Sequence, residues 1–158
     1  LSNPCSAGRQ LLGVWDDRFV VPMAEALLRG GTIKSAVVHS KDGLDEVSIS
    51  APTRMVLVAD GKLVESMIDP EDLGLSLSNM EDLVAHDLKE ATRFVRDSVS
   101  GVLSGGVREM VVINVALGLF LADRVQNLSE GVQMANKTID SGRANETLVN
   151  WAKISFSK

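Results

Sequence analysis

Cysteine is nearly missing from this 158-residue chain, with Cys5 the single example. That excludes an internal disulfide framework and any zinc site built on two or more cysteines of one chain. It also points to the reducing cytoplasm. Tyrosine is absent and histidine is limited to His39 and His86, so acid–base chemistry falls mainly to carboxylates. There is no basic stripe: 16 Lys and Arg face 21 Asp and Glu, for a formal net charge of −5. Binding a phosphate backbone needs the opposite balance, which excludes nucleic acid as a bulk partner. Nor is any apolar run long enough to make the chain a membrane protein. The longest, Met110–Ala122, covers 13 residues and is broken by Asn114 and Gly118, whereas a spanning helix needs about 20. The opening Leu-Ser-Asn-Pro is neither a charged leader nor an apolar signal segment, and a start without Met reads as a cut or processed end. The GxGxxG and GxxxxGKS/T phosphate cradles are missing too.

What is present suits one α/β unit over residues 1–158. The hydrophobic fraction is 45% and the mean hydropathy +0.12, enough to build a core. Gln10–Trp15 is short, apolar and bounded by turn-prone residues, so it reads as a buried strand. Asp16 or Asp17 can cap a helix running to about Arg29, with Pro22 tolerated only in its first turn and Gly30-Gly31 ending it. Ile33–Val38 follows as a second strand, and strand–helix–strand implies a parallel pair. Pro52–Ala59 and Lys62–Ile68 flank Asp60-Gly61, a favoured hairpin turn, and alternate as a half-buried antiparallel pair would. The remainder is helical: a short Met80–Leu83 segment, Leu88–Val102, a nearly all-apolar Val107–Val125 that belongs in a core, Leu128–Ile139 and Ala144–Ile154.

The most informative local feature is Val37-Val38-His39-Ser40-Lys41-Asp42-Gly43-Leu44-Asp45-Glu46-Val47-Ser48. It leaves the carboxyl end of a predicted parallel strand, where open α/β sheets bind ligands. Asp45 and Glu46 offer two adjacent anionic oxygen donors on a flexible, solvated loop. Such a pair suits Mg²⁺, which takes one or two carboxylates plus water and substrate phosphates; a plain acidic turn has the same sequence. His39 is a general-base or phosphate-contact candidate, although a lone His at a strand end commonly serves as hydrogen-bonded structure. Cys5 has no evident paired base and reads as structural. Asn114, a polar amide inside an apolar helix, must find partners, and a bond to a neighbouring loop accounts for it better than catalysis.

Several strings in register then resemble one family. They are Asn3-Pro4, Gln10–Val14, Val37–His39 with Asp42–Ser48, Asp69–Leu75, Asn114–Leu119, Glu130-Gly131 and Ile139–Ala144. In this order they resemble anthranilate phosphoribosyltransferase over nearly the whole chain. The resemblance implies that Asp45 and Glu46 are the family's Mg²⁺-binding pair, with Mg²⁺ as cofactor and phosphoribosyl pyrophosphate and anthranilate as substrates of the complete enzyme. It also implies that the glycine-rich phosphate loop, the Lys-His-Gly-Asn segment, the anthranilate-holding arginine and the helical dimerisation domain lie upstream of Leu1. One departure falls inside the chain. Ala91, in His86-Asp87-Leu88-Lys89-Glu90-Ala91, stands where the family commonly has Asn.

The sequence therefore leads to an α/β fold with a partial parallel βαβ sheet, an antiparallel hairpin and a carboxyl-terminal helical group. Its function is read as a portion of the phosphoribosyl-transferring enzyme, inactive as the isolated chain and cytoplasmic. It is expected to form a homo-oligomer or to pair with a chain carrying the missing half. Two rivals stand beside this reading. One is a non-enzymatic assembly module of the same fold; the other is a related phosphoribosyltransferase or nucleoside phosphorylase acting on another base.

Overall fold

The computed structural model describes residues 7–156, so Asn3, Pro4 and Cys5 lie outside the described residues. Its sheet runs β1 (Arg9–Gly13), β2 (Lys34–Ser40), β3 (Thr53–Ala59), β4 (Lys62–Ile68) in spatial order. β1 and β2 are parallel, with Leu11 opposite Ala36 and Gly13 opposite Val38. The crossover between them is α1 (Val20–Arg29), and the other strand pairs are antiparallel. After the sheet come α2 (Leu88–Ser100), α3 (Gly106–Leu121), α4 (Leu128–Asp140) and α5 (Arg143–Phe156). Asp16 does act as a cap, accepting the Arg18 N–H at 2.9 Å. What it caps, however, is a short 3-10 turn, Asp17–Phe19, that leads into α1. Asp60 and Gly61 have φ of 52° and 71°, the mirror-image turn whose twist matches the flanking strands.

Successive side chains on a strand point to opposite faces, and here helices cover both. Val37 of β2 packs with Val20, Ala24 and Leu27 of α1. Ala36 and Val38 pack on the other side with Val112, Ile113, Ala116 and Leu117 of α3. On β3, Met55 joins the α3 side while Val56 and Val58 join the α1 side. This corrects the expectation of a half-buried β3. Met55-Val56-Leu57-Val58 is a continuous apolar run, the pattern of a strand between two helical layers. β4 is the half-exposed member of the hairpin, with Val64 and Met67 open and Ile68 buried.

α3 meets its expectation as a core helix: every residue except Val115 is buried or half-buried. Both parallel strands grip its carboxyl end. Arg9 of β1 donates to the Leu121 carbonyl at 2.5 Å and pairs with Asp123. Lys34 of β2 donates to the Phe120 carbonyl at 2.8 Å and to Asp123 at 2.7 Å, with its ammonium 3.8 Å from the Phe120 ring centre. Two cations at a helix carboxyl terminus satisfy its free carbonyls and oppose its negative dipole end. The amino-terminal ends of α2 and α4 follow one recipe. Asp87 accepts the Glu90 N–H while Glu90 accepts the His86 N–H. Asn127 and Glu130 repeat this with the Gln126 N–H. The segment around Ala91 thus starts α2.

Glycine lets α4 sit directly on α3. A Cβ at Gly131 would lie 2.8 Å from the Ala116 Cα and carbonyl oxygen, whereas a Cβ at Gly118 of α3 would meet nothing within 4 Å. Gly131→Ala should therefore cost about 1–3 kcal/mol of stability through overpacking. Gly118→Ala should stabilise by up to about 1 kcal/mol, because alanine favours the helix. Urea unfolding of both variants checks the pair, and a Gly131→Ala variant as stable as the parent would show that the two helices are free to separate.

Candidate functional site

The segment between β2 and β3 is braced along its length. Gly43, at φ 94°, allows the turn, in which its N–H donates to the Ser40 carbonyl and the Ser40 N–H donates to the Leu44 carbonyl, each at 2.9 Å. The Lys41 N–H closes the base of the loop on the Pro52 carbonyl at 3.0 Å. Asp42 collects the Ser48 hydroxyl at 2.5 Å, the Ser50 hydroxyl, and the Leu44 N–H at 3.2 Å. Partial burial pushes the Asp42 carboxyl up, but the hydroxyl and N–H donors outweigh it and hold the group below its usual range. Val47 and Ile49 are fully buried core members. The loop is therefore not the flexible, solvated segment that its polar composition led us to expect. The alternating Val47 and Ile49 were the signal, and they anchor it.

Asp45 and Glu46 sit at the exposed crest of this loop. Neither carboxylate has a hydrogen-bond or ion-pair partner among the described residues. The loop touches the end of β1: a Cβ on Gly13 would fall 1.5 Å from the Asp45 carbonyl oxygen. The pair thus lies beside the carboxyl ends of the two parallel strands, the position where such sheets bind ligands. Nearby carboxylates are already committed. Arg18 binds Asp16 through Nε and Nη2 and holds its carboxyl at about 2, and Arg54 pairs with Asp17 at 2.7 Å. Among the described residues no cluster of three or more His, Cys, Asp or Glu forms a metal cage. Two unpaired hard oxygen donors on a braced loop fit Mg²⁺ that completes its shell with water and a phosphorylated ligand.

His39 takes the structural role. Its Nδ1 lies 2.8 Å from the Val14 carbonyl, and a carbonyl only accepts, so Nδ1 carries the proton and the ring ties β2 to β1. Asn114 bonds to a loop, as its isolation in an apolar helix implies, and the loop is this one: it holds Val47. The sequence reading gave Trp15 no site role. It lies two residues past the end of β1, is 70% exposed and packs on Phe19 at 4.6 Å between ring centres.

A carboxyl whose folded pKa is lowered stabilises the native state above its unfolded pKa. That contribution is lost as pH falls through the folded value. Amide protection factors across residues 44–50 should accordingly drop below about pH 4, the ordinary Asp range, and Asp42→Asn should flatten the dependence. Protection in the parent chain that stays constant through that window would count against the serine clasp.

Residues 1–145 match the model of a glycosyl transferase family, a/b domain. The chain is 41% identical over 148 residues to an anthranilate phosphoribosyltransferase of Thermoanaerobacter, covering 94% of this chain and 44% of that protein. It is 43% identical over 148 residues to one from Hyphomonas neptunium, covering 94% and 43%. Among solved structures, anthranilate phosphoribosyltransferase from Thermus thermophilus superposes with a TM-score of 0.79 at 30% identity, over 88% of this chain and 40% of that one. The Saccharomyces cerevisiae enzyme in complex with PRPP and Mg superposes with a TM-score of 0.77 at 26% identity, over 89% and 40%. The chain therefore spans less than half the length of the relatives it matches. With 145 of its 158 residues matched, it belongs to the glycosyl transferase family defined by this α/β domain.

Proposed function

We propose that this chain is a portion of an anthranilate phosphoribosyltransferase, and that Asp45 and Glu46 are its residues for Mg²⁺. The observation that carries the reading is the exposed, unpaired state of these two carboxylates on a braced loop beside the carboxyl ends of the parallel strands. Two adjacent hard oxygen donors with no protein cation beside them are free to share one divalent ion. Relatives bearing that enzyme's name, and a solved relative in complex with PRPP and Mg, support the substrate class.

In the proposed reaction the amine of anthranilate bonds to the anomeric carbon of the ribose as the bond from that carbon to pyrophosphate breaks, and the amine proton is released. Mg²⁺ supplies charge neutralisation on the departing pyrophosphate. Among the described residues no nucleophile with a paired base stands at the site, which suits direct displacement. Its own residues hold two carboxylates ready at the strand ends, with Gly13 keeping β1 clear of the loop backbone. A reaction between soluble metabolites suits the cytoplasm, and no helix among the described residues is long and apolar enough to cross a membrane. β1 is an edge of the sheet, and Trp151, Ile154 and Phe156 of α5 are exposed. Both features support association with the remainder of the polypeptide or a second copy.

Two outcomes are expected. The 158 residues alone, without a phosphate cradle, should give no loss of anthranilate fluorescence above a no-protein control in phosphoribosyl pyrophosphate and Mg²⁺. Joined to the rest of the family polypeptide, the parent sequence should turn over, and the Asp45→Ala, Glu46→Ala double variant should lose at least about 100-fold in rate. An unchanged rate and Mg²⁺ titration in the double variant would return the pair to the role of an acidic turn.

A further inference from the structure

Asn114 is one of the few polar side chains in the core helix α3, and it makes three hydrogen bonds, both of its N–H donors among them. Its Nδ2 donates to the Val47 carbonyl at 2.8 Å and to the Met110 carbonyl at 2.9 Å, while its Oδ1 accepts the Val47 N–H at 3.0 Å. The carboxamide thus treats Val47 as a neighbouring strand would, taking both its backbone groups at once. Two carbonyls facing Nδ2 and one N–H facing Oδ1 leave a single orientation, because a flipped amide or a carboxylate would place oxygen against oxygen. Val47 directly follows Glu46. Its side chain is fully buried, so the residue after the acidic pair is fixed through both backbone and side chain.

We propose that Asn114 is a positioning residue for the acidic pair. Its amide holds the Val47 backbone so that Asp45 and Glu46 stay presented together at the strand ends. This rests on the reading above that the pair takes a divalent cation. Adjacent anionic groups on a free loop would separate, and gathering them would subtract from binding. A loop already held in shape avoids that loss. Groups that orient metal-holding side chains without touching the metal are worth about 10–100-fold in affinity. Asn114 reaches the pair from a helix 67 positions away in sequence, so local loop residues do not duplicate its grip.

Mn²⁺ alone, titrated into the ¹⁵N-labelled chain, serves as the probe, because its paramagnetism broadens only the amides near where it sits. In the parent chain broadening should centre on residues 43–47 and on Gly13, and the Asp45→Ala, Glu46→Ala variant should abolish it. Asn114→Leu should raise the Mn²⁺ Kd about tenfold or more and accelerate Val47 amide exchange. Asn114→Ser takes its place if the leucine variant does not fold. Ile139→Ala, a buried truncation on α4 in the same apolar cluster, should lower the melting temperature yet leave the Mn²⁺ Kd within about twofold, the scale of a core change that touches no metal-holding group. Unchanged Mn²⁺ affinity in the Asn114 variant, or equal weakening in Ile139→Ala, overturns the positioning role while leaving the metal reading intact. Absence of localised broadening in the parent chain, with Mn²⁺ alone and again with inorganic pyrophosphate added, overturns the metal reading and the positioning role together.

Discussion

The docking of α3 on the sheet organises one whole face of this molecule. An apolar helix gains most of its stability by burial, but burial alone is non-directional and does not fix where along its axis a helix comes to rest. Arg9 and Lys34 supply that registration by meeting the carbonyls of Phe120 and Leu121. They come from the two parallel strands, so the helix end is tied to the amino-terminal edge of the βαβ unit. With that end fixed, Ala116 meets Gly131 of α4 and Asn114 meets Val47 of the loop. One helix therefore sets the position of its neighbouring helix and of the loop bearing the acidic pair.

The loop at the opposite edge of the strands shows how exposure and rigidity combine. Its crest is open to solvent while its shoulders are core residues, and the Asp42 clasp, the Asn114 amide and the contact at Gly13 restrain it at separate points. A site on such a loop can offer charge to a ligand without depending on the ligand to shape it. The neighbouring acids do not compete, since Arg18 and Arg54 occupy Asp16 and Asp17. Charge pairing here selects which carboxylates remain available.

Much of the architecture was legible in the residues because local chemistry wrote it twice. Asp60-Gly61 announced the hairpin and both residues adopt positive φ. The apolar spacing announced helices from Leu88 and Leu128, and the structure starts α2 and α4 at those residues. The burial of both faces of β3 was harder to read, because beside the half-exposed β4 its apolar run passed for one half of an alternating hairpin. Asp45 and Glu46 were readable as candidates from their place after a strand, and Asn114 as an amide needing a loop partner. Their connection was not readable. It depends on a helix packing against a loop 67 residues away, and no periodicity encodes that. The tight fit at Gly13 was equally hidden, since glycine in a strand marks a close approach without naming what approaches.

Every strand in the sheet pairs with its neighbour in sequence, so the sheet and α1 assemble through short chain closures. The contacts that fix α3 span far more chain: Arg9 to Leu121 is a separation of 112 residues. Closure entropy grows with the length enclosed, and contacts of high sequence separation are costly to reach early. Val47 has side-chain partners for its backbone groups only once that long closure is made. The acidic crest therefore takes one of its restraints from a contact 67 residues away in sequence. A βαβ–hairpin unit formed without α3 would carry Asp45 and Glu46 on a loop still missing one of its three restraints.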